Sequence, residues 1–273
     1  MLGRRLLTAL VLVPLVFLAV LRLPEDWFDL LLGVVVLAAC WELTRLAALE
    51  SIAARLLAVA AMGLVLWMLY LFLEASWIDG LLLALGAWWL ASLVVLLSGR
   101  VRLEKIQGFR PLRLATGMLL LAGAWLALAK LHALPPHGPE LMMFLLVLIW
   151  VADSAAYFTG RALGRRKLAP RISPGKTVEG ALGALAGSLL PAAFLVWSGW
   201  VAAPAWALTL LSLATVAVSI GGDLWESVLK RERGLKDSGD ILPGHGGVLD
   251  RIDSQIAAGP FFVAGLMLLG AME

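Results

Sequence analysis

The chain has 273 residues, 62% of them hydrophobic and only 15% charged, with a mean hydropathy of +0.94. A soluble domain carries about 45–50% apolar and about 25% charged residues, so a solvated globular protein is excluded and a polytopic membrane protein is the class that fits. The formal net charge of +3 is small, and its lysines and arginines follow the placement that membrane topology imposes, so nucleic acid is not an expected partner.

A membrane-crossing helix needs about 20 mostly apolar residues. Arg4-Arg5 followed by the apolar run Leu6 to Val20 has the charge-then-apolar order of a secretion signal. Only Leu21-Arg22-Leu23-Pro24 follows, with no small-residue cleavage site. A retained first helix over about 6–22 is therefore expected, with a twin-arginine export signal as the alternative. Further runs of spanning length cover about 28–44, 56–73, 80–98, 114–131, 141–160, 179–197, 204–222 and 254–271. The expected fold is all-α, with about nine transmembrane helices. Trp27, Trp77 and Trp200 stand near span ends, where the membrane–water interface favours aromatic rings. Cys40, the single cysteine, excludes an intrachain disulfide and reads as a small core residue. Glu42 and Arg45, near the end of the second span, have the spacing of a local helical ion pair.

Placing the N-terminus in the cytoplasm puts every lysine and arginine except Arg22 and Lys130 in cytoplasmic segments. Glu25, Asp26, Asp29, Glu74, Asp79 and Glu140 fall on the opposite side. No internal repeat or long linker interrupts the chain. It reads as a single membrane domain over 1–273, with a scaffold half at 1–134 and a catalytic half at 135–273 that carries the polar motifs.

Acidic residues at membrane depth are costly and usually face a water-filled cavity. Asp153 lies within the sixth span, and Asp223 lies at the cytoplasmic end of the eighth. Asp223, Ser227 and Lys230 share one helical stripe with Glu226 beside them. Such a stripe alone also fits a solvated helix end with a Glu226–Lys230 pair. The next segment runs through Lys236-Asp237-Ser238-Gly239 and Pro243-Gly244-His245-Gly246-Gly247 to Asp250-Arg251-Ile252-Asp253. Its glycines allow backbone N–H groups to approach phosphate oxygens. Asp250 and Asp253 project from one face, and with Asp223 they form an all-oxygen set suited to Mg²⁺. A capping pair at a helix start is the competing reading, compatible with metal binding. His245 is not assigned as a base on spacing alone, and His132 and His137 read as bystanders on the opposite side.

A second basic, glycine-containing loop spans Gly160-Arg161, Gly164-Arg165-Arg166-Lys167 and Ser173-Pro174-Gly175-Lys176-Thr177-Val178-Glu179-Gly180. Gly175-Lys176-Thr177 is not a P-loop: Pro170 occupies the first glycine position, and the flanks are membrane helices rather than a strand. The stretch from Ser173 to Thr177 also reads as a turn and helix start. Carboxylates, lysines, arginines and glycine-rich loops on one face are the parts of a metal-assisted phosphoryl-transfer site.

These motifs resemble the phosphatidate cytidylyltransferase family (CDP-diacylglycerol synthases). The family's long signature is matched by Ser227, Leu229, Lys230, Arg231, Lys236, Asp237, Gly239, Leu242, Pro243, His245, Gly246, Gly247, Val248, Asp250, Arg251, Ile252 and Asp253. Asp153, Tyr157, Gly160-Arg161, Gly164-Arg165 and the segment Ser173 to Gly180 are also similar to it, with Val178 where an aromatic residue is common. The resemblance covers the C-terminal half specifically. It implies CTP and phosphatidate as substrates, CDP-diacylglycerol and pyrophosphate as products, and a role in phospholipid biosynthesis. It further implies Mg²⁺ on Asp223, Asp250 and Asp253, with K⁺ as a second ion, a homodimer, and a site on the cytoplasmic face of the cell membrane. Catalytic roles are expected for Asp223, Lys230, Arg231, Lys236, Asp237, His245, Asp250 and Arg251. Substrate contacts are expected from Asp153, Arg161, Ser173, Lys176, Thr177, Glu179, Ser227, Gly246 and Gly247. A CTP-dependent lipid kinase and an ion-coupled transporter are the competing functions. The absence of an Asp-Gly-x-x-Ala-Arg motif argues against a CDP-alcohol phosphatidyltransferase.

Overall fold

A computed structural model describes residues 13–73, 76–99, 101, 103–105, 108–241 and 246–272. The helices are α1 (Val13–Arg22), α2 (Glu25–Leu46), α3 (Ile52–Leu71), α4 (Trp77–Leu97), α5 (Pro111–His132), α6 (Gly138–Leu163), α7 (Val178–Ser198), α8 (Ala205–Glu232) and α9 (Leu249–Leu268). From α2 to α8, each is long and apolar enough to cross a bilayer. The fold is an all-α polytopic membrane bundle. Residues 6–12 of the expected first span lie outside the described residues. The ninth expected span is a helix of spanning length, but it starts earlier, at Leu249, and carries Asp250, Arg251 and Asp253 in its opening turns.

Local chemistry sets several helix ends. Pro111 opens α5, where its missing N–H costs no hydrogen bond. The Thr177 hydroxyl accepts from Gly180 N at 3.1 Å and starts α7. Gly199, at φ 68°, ends that helix in the left-handed conformation.

One local expectation needs correction. Ser173–Thr177 is a β-strand (β2) rather than a turn, paired antiparallel with β1 (Lys167–Ala169) in the register Lys167↔Thr177 and Ala169↔Ser173. The Glu179 carboxylate closes the base of this hairpin. It accepts from Arg165 N at 3.0 Å, Arg166 N at 3.1 Å and Arg166 Nε at 3.0 Å. Helical periodicity carries no trace of a side chain reaching back over a strand pair.

Helix α9 occupies the core, packed on α4, α5 and α8 and touching α2. Ala257, Ala258, Phe262 and Val263 are fully buried. By contrast α3 turns Leu57, Leu64 and Trp67 outward, as a lipid-facing helix should. Small residues bring the helices close. A Cβ at Gly86 would meet Ala264 Cβ at 2.8 Å, and one at Gly222 would lie 2.4 Å from the Asp253 carbonyl. Gly222 thus lets α8 and α9 touch beside their acidic residues. Gly222→Ala is expected to destabilise the bundle by about 1–3 kcal/mol through overpacking. The thermal midpoint of the detergent-solubilised protein checks this, and an unchanged midpoint would mean that the two helices have room to spare.

Candidate active site

The last turns of α8 and the first turns of α9 face each other across the Gly222 contact. Asp223, Glu226, Ser227 and Lys230 line one side of α8, as the helical spacing predicts. Asp250 and Asp253 come from α9.

Lys230 is the hub. Its ammonium donates to Glu226 Oε2 at 2.5 Å and to Asp250 Oδ1 at 2.6 Å. Glu226 is fully buried, so the helix-end pair anticipated between Glu226 and Lys230 exists but is internal, not solvated. Glu226 Oε1 has no hydrogen-bond partner among the described residues. Asp250 Oδ2 accepts from Ser238 N and Gly247 N, each at 2.9 Å, and lies 2.9 Å from Ser238 Oγ, whose one proton Glu42 and Asp250 compete for. Asp250 therefore faces the Lys230 ammonium and two backbone N–H donors ahead of the apolar stretch of α9.

The second basic loop joins the first. Lys176, on β2, reaches Asp223 Oδ2 at 2.6 Å, while Ser227 Oγ donates to Asp223 Oδ1 at 3.2 Å. Asp253 lies within electrostatic reach of Asp223, Lys176 and Lys230, and Asp153 within reach of Lys176 and Asp223. The loop at 161–180 and the segment at 223–253 thus meet through Lys176.

Other expected residues have different placements. Arg231 donates to the carbonyls of Ile172 and Leu235, both at 3.2 Å, and ties the hairpin turn to the end of α8. Glu179 and Thr177 shape the hairpin and the α7 start. Ser173 opens β2 opposite Ala169. Arg161 donates to the Tyr157 hydroxyl at 3.0 Å. Lys236, Asp237 and Arg251 are exposed near the cluster. Gly246, at φ 82°, passes close over Asp250. His245, with Leu242, Pro243 and Gly244, lies outside the described residues.

One acidic residue belongs to this network although spacing did not place it there: Glu42 of α2, which accepts from Ser238 Oγ at 2.9 Å, Val248 N at 3.0 Å and Leu249 N at 2.8 Å. The local Glu42–Arg45 pair is not formed, and Arg45 points instead to Asp240 at 3.9 Å. An acid near the end of a long apolar run was the available signal, and its partner could not be read from neighbours in sequence.

The cluster offers oxygen donors, which suit a hard cation, and the orphaned Glu226 Oε1 marks unspent acceptor capacity inside it. The three carboxylates expected to hold metal are not equivalent. Asp253 lies within electrostatic reach of Asp223, whereas Asp250 has both oxygens engaged by Lys230 and the loop. Among the described residues no three His, Cys, Asp or Glu side chains form a ready-made ligand set.

The family model described as "Cytidylyltransferase family" matches residues 3–269. The chain belongs to that family. It is 44% identical over 273 residues to the phosphatidate cytidylyltransferase of Pseudomonas aeruginosa, covering 99% of this chain and 98% of that one. It is 39% identical over 282 residues to the phosphatidate cytidylyltransferase of Haemophilus influenzae, covering 96% and 97%. The protein of the same name from Bacillus subtilis is 35% identical over 269 residues, covering 94% and 95%. As a member of this family the chain is a nucleotidyltransferase, and the Lys230 hub lies within the segment that carries the family signature.

Proposed function

We propose that this nucleotidyltransferase joins CTP and phosphatidate into CDP-diacylglycerol and pyrophosphate, in phospholipid biosynthesis. The observation that carries the reading is the cluster around Lys230, Asp250, Asp223 and Lys176, where two signature segments meet at one end of a membrane bundle. Full-length relatives that bear that activity's name support it.

In the proposed reaction a phosphatidate oxygen bonds to the α-phosphorus of CTP while the bond from that phosphorus to the bridging oxygen breaks, and pyrophosphate leaves with the electron pair. The nucleophile is already an anion, so no strong general base is required. The barrier lies in bringing two anions together. Lys176, Lys236 and Arg251 would meet phosphate oxygens and cancel charge as it builds. Lys230 stays between Glu226 and Asp250 and keeps α8 and α9 in register. Asp223 and Asp253 would hold Mg²⁺, with K⁺ as a second ion and Asp250 close by. Bound there, the cation supplies charge neutralisation and orientation for the polyphosphate. The cytoplasmic face of the cell membrane is the proposed location, on the distribution of basic residues and the bacterial relatives.

Purified protein, given Mg²⁺, phosphatidate and CTP labelled at the α-phosphorus, is expected to transfer label to lipid. Chelation should stop transfer, and added Mg²⁺ should restore it. Label that reaches lipid only from the γ-phosphorus would replace this reading with a lipid kinase.

A further inference from the structure

Glu42 sits in α2 at 2% exposure, beside the buried Ala39, Cys40 and Leu43. A carboxylate in such surroundings needs donors to offset its lost hydration. All three of its donors come from the signature segment, as many as 207 positions away in the chain. Two of them, the N–H groups of Val248 and Leu249, stand at the start of α9. No side chain caps that helix from its own N-cap position, Val248. Early helix N–H groups lack intrahelical partners, and a helix start favours negative charge. Glu42 therefore does the work of a cap supplied by another helix.

The same carboxylate reaches toward Asp250. Ser238 Oγ lies 2.9 Å from Glu42 Oε2 and 2.9 Å from Asp250 Oδ2, and Ser238 is fully buried. Two signature glycines accommodate the arrangement. A Cβ at Gly239 would fall 2.3 Å from Glu42 Oε1, and one at Gly247 would fall 2.3 Å from Glu42 Oε2. These positions are bare because a carboxylate from α2 fills the space a side chain would need.

We propose that Glu42 is a positioning residue for the transfer reaction. It clamps the start of α9 and Ser238, which sets Asp250, and through Asp250 the Lys230 ammonium, relative to Asp223 and Asp253. The proposal rests on reading the cluster as the transfer site, and it assigns Glu42 no contact with substrate.

The test compares wild type with Glu42→Gln, Ser238→Ala and the double variant as purified full-length proteins. Glutamine keeps the shape but sets an amide NH₂ against one of the donors. Because misplacement of about 1 Å can cost about 100-fold in rate, Glu42→Gln is expected to lower kcat about 10- to 100-fold. KM for CTP should stay within about threefold, since uniform binding is untouched. The double variant should fall no more than about twofold below the poorer single one, because both act through one contact. Amide exchange at Val248 and Leu249 should quicken at least about tenfold in Glu42→Gln and stay unchanged in α5. Turnover within about twofold of wild type with unchanged exchange would overturn the proposal. So would a loss that disappears after normalising to folded protein. If Glu42→Gln does not fold, Ser238→Ala alone decides, and wild-type turnover in it counts against the clamp. If wild type itself makes no CDP-lipid, the function reading fails, and the exchange comparison alone judges the clamp.

Discussion

Asp223→Asn is expected to lower turnover roughly 1,000-fold, the effect of losing about 4 kcal/mol of charge stabilisation in the transition state. Asparagine fills the same volume and can still accept from Ser227 Oγ, which donates to Asp223 Oδ1 at 3.2 Å. What it removes is the negative charge facing Lys176 at 2.6 Å and Asp253 nearby. Folding should survive, because both Lys176 and Asp223 retain access to solvent. The lipid-labelling assay reads the loss. Cys40, fully buried and the chain's single thiol, reads the fold, since it should resist thiol reagents until the bundle opens. An Asn variant that keeps more than about a tenth of wild-type turnover would remove Asp223 from the proposed cation site.

The second large effect is on stability. Lys230→Met leaves Glu226 buried without its counter-charge and strips Asp250 of its strongest partner. Breaking one side of a buried ion pair costs about 3–5 kcal/mol, because the remaining charge stays desolvated. Lys230→Met is therefore expected to lower the thermal midpoint sharply and to speed Cys40 labelling. Adding Glu226→Gln should recover much of the loss, because it removes the stranded charge. A Lys230→Met protein as stable as wild type would show that the buried carboxylates do not depend on the ammonium.

The apolar spans were legible because a bilayer demands long hydrophobic runs, and α2 to α8 each provide one. The stripe Asp223–Glu226–Ser227–Lys230 was legible because helical period alone puts those side chains on one face. The partners across that face were not. Lys176 meets Asp223 only because a hairpin folds back at one end of the bundle, and the hairpin depends on Glu179 accepting two backbone N–H groups. Glycine density around Gly247 pointed to phosphate, whereas Ser238 Oγ and the Glu42 carboxylate lie where its side chain would go. Spacing also treated Asp223, Asp250 and Asp253 as equivalent. Tertiary contacts separate them, since Asp250 spends its oxygens on Lys230, Ser238 and Gly247.

The position of α9 also bears on how the protein is made. This helix follows the other eight described helices, yet it lies among α2, α4, α5 and α8 and brings Asp250 and Asp253 with it. Segments emerge from the ribosome in order, so the earlier helices must wait in the bilayer with a slot between them until α9 arrives to fill it. Glu42 spends that interval without the three donors that later satisfy it. Insertion of α9 is thus the step that completes both the packed interior and the site, and a nascent chain halted before residue 249 would be committed to the membrane but incompetent for transfer.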